Sequence, residues 1–159
     1  MKKIILALFL LLLFASASPS QEEYLADPLA EPADFRGIKW QQSLESVSGE
    51  METLYSEDDG DEVSCARKGE DMSFGEAKLD SVEYIFIGGK LSKVAVVAKG
   101  EENEDALLDA ALDLFGKETV HSNGDYMWRF TNVSVMFSRE PQLEQSVLFY
   151  QYIGFVRNR

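Results

Sequence analysis

The sequence predicts an α+β protein: an antiparallel β-sheet with one main amphipathic helix packed on one face and a short N-terminal helix. Three observations predict it. Apolar residues alternate along several stretches separated by turn residues, as in Val82, Tyr84 and Phe86 and then Val94, Val96 and Ala98. One long stretch carries apolar residues at three- and four-residue steps instead: Leu107, Leu108, Ala111, Leu112, Leu114 and Phe115. No strand–helix–parallel strand unit recurs, and there is no internal sequence repeat, so an antiparallel sheet is the natural arrangement.

In chain order, Met1-Lys2-Lys3, the apolar run Ile4 to Phe14 and the small residues Ala15-Ser16-Ala17 match the three parts of a secretory signal peptide, residues 1–17. The run is too short for a comfortable membrane span, which takes about 20 apolar residues. Residues 18–34 are rich in Pro, Ala and Glu without sustained period and read as a flexible tether. Residues 35–159 then form a single domain, opened by Phe35, Ile38 and Trp40 as core anchors. Leu44, Val47 and Met51 predict a short helix that Ser43 caps. Glu57 to Glu62 is an acidic turn before a strand at Val63 to Arg67, and Met72 to Lys78 is a connector or a short edge strand.

The hairpin that follows turns at Gly88-Gly89. A two-residue loop would throw Val94 and Val96 onto the face opposite Val82, Tyr84 and Phe86. A three-residue loop, Ile87 to Gly89, keeps them together, and a one-residue slip exchanges faces, so the three-residue loop is expected. Ile85, Ile87, Leu91 and Val97 then fall on the second face, which is apolar enough to be partly covered. Asn103 is the expected N-cap of the long helix and Gly116 its C-terminal stop, with Asp109 and Asp113 on a solvated outer face. His121 to Asp125 is a turn. Tyr126, Trp128 and Phe130 alternate, as do Val133, Val135 and Phe137, around a turn at Thr131-Asn132. The last strand, Ser146 to Phe155, is apolar on both faces, as a central strand or a partner-contacting edge would be.

Composition narrows the function. The formal net charge of −13 argues against nucleic acid and against anionic membrane surfaces as partners. A single cysteine, Cys65, allows no internal disulfide and, placed where it is, no lipid attachment at the leader's end. With one histidine, His121, in a polar turn, a nucleophile–histidine site has little to draw on. Cys65, between Ser64 and Ala66 in a strand, reads as a small buried thiol, though Arg67 and Lys68 are near enough to activate it. Zinc ligands are lacking, and Asp58, Asp59, Asp61 and Glu62 do not follow the Asp-x-Asp-x-Asp-Gly spacing of a calcium loop. No cofactor or metal is expected.

The strand aromatics are the remaining feature. Most must fill the core, but on a sheet covered on one face only, some would form an aromatic surface for a peptide, glycan or protein. Tyr126, Trp128, Tyr150 and Tyr152 are the candidates for it.

Phe35-Arg36-Gly37-Ile38-Lys39-Trp40 resembles the opening phrase of a group of small exported bacterial domains. Arg67-Lys68-Gly69, the Tyr84 to Phe86 strand, Phe115-Gly116 and Trp128 extend the resemblance over about Phe35 to Phe137. It implies a fold and an export route and carries no activity. At fold level the chain is also similar to envelope-assembly lipoproteins and β-lactamase-inhibitor-like domains, which bind protein partners on a sheet surface. It lacks the lipid-attachment cysteine of the former and the cysteine pairs of the latter. The expectation is an exported, non-catalytic domain, periplasmic or extracellular, that binds another envelope protein or a small ligand. The alternatives are a small carboxylate-dependent hydrolase or an inhibitor of an envelope enzyme.

Overall fold

The chain enters through a tight hairpin, β1 (Asp34–Phe35) and β2 (Ile38–Lys39), and a single helical turn, α1 (Leu44–Val47), prolonged as a 3-10 turn to Glu50. The structure, a computed structural model, describes residues 25–57 and 60–154. β3 (Met51–Ser56) and β4 (Glu62–Arg67) follow, then a separate small hairpin of β5 (Ser73–Phe74) and β6 (Ala77–Lys78). β7 (Ser81–Ile87) and β8 (Lys90–Lys99) lead into the long helix α2 (Glu101–Phe115). β9 (Val120–Ser122), β10 (Asp125–Arg129), β11 (Val133–Glu140) and β12 (Gln145–Tyr152) complete the chain.

Eight of these strands make one antiparallel sheet in the order β3-β4-β7-β8-β12-β11-β10-β9. It consists of two four-stranded runs, each starting at an outer edge and ending at the centre, where β8 and β12 pair. A helical segment precedes each run, α1 the first and α2 the second. The two halves therefore share a topology that their sequences do not advertise. Among the described residues the sheet dominates, with one main α-helix and one short one.

Strand alternation decides which face is core. Cys65, Val82, Tyr84, Phe86, Val94, Val96, Leu148, Tyr150, Val135, Phe137 and Trp128 all point to one side and are buried. Leu107, Ala111 and Phe115 of α2 meet them there, and Phe115 packs its ring against Trp128, Phe130 and Tyr150. The opening phrase closes the rest of that face. The ring of Phe35 lies edge-on to Tyr84 and Tyr150, Trp40 stacks on Tyr150, and Ile38 is buried. Arg36 donates to the carboxylate of Glu70 and to the backbone oxygens of Asp71 and Ser73, fastening β1–β2 to the start of β5 and the residues before it.

Several local expectations are corrected. The β7–β8 loop has two residues, Gly88 and Gly89, at φ 56° and 73°, the left-handed pair that a tight hairpin needs. The faces stay in phase because a bulge sits farther along: Phe86 pairs with Leu91 but Ile85 with Lys93, so Ser92 is the extra residue. Leu91 consequently joins the buried face. Its backbone N–H and C=O bond to Gln42 and Gln41, which pins the entry segment over the bulge. Asn103 does not cap α2, whose first residue is Glu101. Its side chain accepts the N–H of Lys78 and donates to the carbonyl of Lys99, tying β6 to the end of β8. Met51 to Ser56 is a strand, not the end of a helix, and β9 adds a fourth strand after α2.

The stretch expected to be a tether is anchored from Ala26 onward. Ala26 is buried and donates its N–H to Arg129, and Pro32 accepts the indole N–H of Trp40 at 2.7 Å. The signal-peptide residues 1–17, the tether residues 18–24, Asp58, Asp59 and Phe155 lie outside the described residues. Among the described residues no helix is long and apolar enough to cross a membrane.

Candidate functional site

Every strand that sends one residue into the core sends the next to the opposite face. On that second face the register aligns one residue from each of six strands: Glu83, Ala95, Phe149, Met136, Met127 and Val120. Beside this row lie Val97 and Val147, paired across the central β8–β12 seam, with Ile85 and Ile87 on β7. The result is an apolar band centred on the seam where the two halves of the sheet meet. Its side chains are half-buried by one another, and Val120 at the edge is 53% exposed. α2, β1–β2 and the Glu70 to Lys78 segment all belong to the other side.

Polar side chains bordering the band satisfy one another within the plane of the sheet. Ser64 donates to Glu83 at 2.9 Å, Lys93 to Glu62 at 3.1 Å, and Ser138 to Asp125 at 2.6 Å. Gln145 bonds Glu140 on the neighbouring strand, also at 2.6 Å. Lys93 is paired with Glu62 here, whereas the outer side of α2 carries Glu102, Asp109 and Asp113 beside Asp105, which Arg139 binds. An antiparallel sheet with a solvated face ordinarily alternates apolar and polar cleanly. A bare apolar band rimmed by satisfied polar groups is instead the usual make-up of an interaction surface.

The residues nominated from the sequence sit on the wrong side for this role. Trp128 and Tyr150 are 0% and 2% exposed, beneath Phe115 and the entry hairpin. The indole N–H of Trp128 donates to the carbonyl of Gly116 at 2.8 Å, which ties β10 to the end of α2. Tyr126, half-buried, shares that face between Trp128 and His121, and Tyr152 packs at its margin opposite Val133. Phe149, Met136 and Met127 were not nominated. Their signal is the second parity of their own strands: Phe149 between Leu148 and Tyr150, Met136 between Val135 and Phe137, and Met127 between Tyr126 and Trp128.

The groups considered for chemistry are engaged structurally. His121, on the edge strand β9, stacks on Tyr126 at 4.2 Å between ring centres and lies 3.8 Å from a Glu118 carboxylate oxygen. Cys65 is fully buried; burial pushes its thiol pKa up, outweighing the opposing hydrogen bond with Thr53. Arg67 is bound to Glu50 and to the carbonyl of Arg36. Two well-buried carboxylates are acceptors in fixed networks. Glu70 receives the Tyr84 hydroxyl and Arg36, and Glu104 receives the Ser146 hydroxyl at 2.7 Å with Arg139 alongside. Burial first, and then the bond to Glu70, raises the Tyr84 pKa well above its ordinary value. Of the acidic turn, Glu62 is paired with Lys93, and among the described residues no group of three or more His, Cys, Asp or Glu is placed to hold a metal ion.

No family model matches the chain, and comparison with curated proteins and with solved structures finds no significant similarity.

Proposed function

We propose that this chain is an exported, non-catalytic binding module of the cell envelope that meets a protein partner through the bare face of its sheet. The observation that carries the reading is the row from Ala95 through Phe149, Met136 and Met127 to Val120, apolar over five strands with no described element lying over it. A folded chain that keeps this much apolar surface half-open gains from covering it, and burial of apolar area is what drives most protein association. The in-plane polar bonds at its border keep the rim satisfied with or without a partner, so nothing need rearrange for docking. A broad apolar sheet surface with few convergent polar groups suits a protein better than a small substrate.

The test places a photo-crosslinking residue at Phe149 and, separately, at the exposed Glu45 of α1 on the covered side of the molecule, in the full chain expressed in cells. A discrete adduct from position 149, absent from position 45 and lost when Met136→Asp is added, is the expected result. Adducts at both positions alike, or at neither, sink the reading.

A further inference from the structure

On the opposite side of the molecule, the β5–β6 hairpin lies against the outer side of α2. Its tip meets the helix at a pair of small residues: a methyl built on Gly75 would fall 2.7 Å from the Cβ of Ala110. Gly75, at φ 58°, is thus required both by the turn and by the close approach. Beside this contact the hairpin and helix leave an open cleft of about 680 Å³, a size usual for binding sites.

The floor of the cleft is apolar: Phe74, Ala106, Ala110 and Leu114, the last 55% exposed. Its rim carries Asp71, Glu76, Asp109 and Asp113. The cation that reaches it, Arg36, is already committed to Glu70 and to two backbone oxygens. Asp71 accepts from Ser73, but Glu76, Asp109 and Asp113 have no hydrogen bond or ion pair among the described residues. Asp109 and Asp113 are four apart on one helix, an arrangement of like charges that weakens the helix unless something neutralises it.

We propose that this cleft is a docking site for a basic amphipathic peptide segment, which lays apolar and methylene groups on the floor and Lys or Arg head groups on the rim. The inference is independent of the sheet face. Charge complementarity chooses the occupant: an anionic or neutral segment would leave the rim unpaired, and a bare cation would leave Phe74 and Leu114 in water. Lysine and arginine have the required two-part shape, an apolar stem of several carbons under a charged tip, and Phe74 adds a ring face that favours a cation.

The experiment is calorimetric titration of the full chain with a short synthetic Leu/Lys amphipathic peptide at physiological ionic strength. Two triple variants are compared: Glu76→Gln/Asp109→Asn/Asp113→Asn in the cleft, and Glu45→Gln/Glu52→Gln/Glu57→Gln at exposed acids elsewhere. The cleft variant is expected to bind about tenfold more weakly, and the matched control to change by less than about threefold, because only the former removes charges that face an apolar floor. Leu114→Ser is expected to weaken the peptide about fivefold with the charges intact. Equal losses in the two triple variants would mean unspecific attraction to an acidic protein and overturn the proposal. So would spermidine binding as tightly as the peptide, which would make the apolar floor irrelevant. The charge variants lie on solvated surface, and a melting temperature that does not fall separates lost binding from lost fold.

Discussion

The two faces of the eight-stranded sheet are drawn from the same strands, residue by alternate residue, and they solve different problems. The covered face takes the large aromatics, Trp128, Tyr150, Tyr84, Phe86 and Phe137, and seals them under α2 and the entry hairpin. Their polar atoms are then obliged to find partners inside: the Trp128 indole goes to the carbonyl of Gly116 and the Tyr84 hydroxyl to Glu70. The bare face takes Ala95, Val97, Val147, Met127 and Met136 with Phe149 at its centre and Tyr55, 59% exposed, on the edge strand β3, and sets its polar groups around the margin. Methionine adapts its shape to whatever covers it, and valine is content half-wet, so this face tolerates being open. Stability is therefore expected to reside on one face and recognition on the other.

Deleting a buried aromatic should show the contrast most strongly. Trp128→Ala removes the most voluminous fully buried side chain and its bond to the end of α2, and should cost about 3–5 kcal/mol in denaturant unfolding. A loss under about 1 kcal/mol would mean that α2 does not press on β10.

Next is the polar network that locks the entry hairpin to the covered side. Arg36→Ala leaves the Glu70 carboxylate with the Tyr84 hydroxyl and the N–H of Asp71, and empties the bonds to the Asp71 and Ser73 carbonyls. The expected loss is about 1–3 kcal/mol. Because β1–β2 carries Phe35 and Ile38 over the sheet, the same variant should raise amide exchange in the entry segment before the rest of the sheet opens.

The covered face also predicts a sensitivity to alkali. Burial raises the pKa of Tyr84, helped by Glu70, and that of Tyr150, opposed by the Arg36 charge, both above the ordinary 10.0. The unfolded chain loses these protons first as pH rises, so the unfolded state binds fewer protons than the folded one and stability falls. The contribution is whole below pH 10.0 and is lost progressively above it. The urea midpoint should drop between pH 9 and pH 11, and Tyr84→Phe should make that drop shallower. A midpoint flat across this range would place both hydroxyls in water.

What the sequence made legible divides along the same line. The β7–β8 hairpin, α2 and the β10–β11 turn could be read because their signals are local: period two, period 3.6 and turn chemistry. Even so, the right faces came from the wrong loop, since a two-residue turn plus a bulge at Ser92 has the same parity as a three-residue turn. β3 was illegible because, as an edge strand with only Met51 buried, it has no inward set to alternate. Asn103 looked like a cap because capping chemistry is local, whereas its real partners, Lys78 and Lys99, lie on strands. Trp128 and Tyr150, expected on an open aromatic surface, are buried for a physical reason. The face under the helix has the greater volume to fill and claims the larger rings. Which parity of β12 stays bare depends on where α2 lands, and no local pattern encodes that.

The smallest effect is the sharpest test of the comparison, because it sets two neighbours in one strand against each other. Leu148 and Phe149 are consecutive in β12, the first fully buried and the second half-buried on the bare face. Leu148→Ala should cost about 2–5 kcal/mol, since it removes buried methyls and leaves a cavity that the packed layer cannot close. Phe149→Ala removes a larger group, yet water fills the space and part of the ring was already hydrated, so its cost should stay within about 1 kcal/mol. Size alone would give the opposite order. Should Phe149→Ala prove as costly as Leu148→Ala in the isolated chain, Phe149 is roofed there, and the face assigned to a partner is already closed. If the order holds, the same substitution should abolish the crosslink expected from a probe at Met136 while the melting temperature barely moves, since recognition and stability are then carried by opposite sides of one strand.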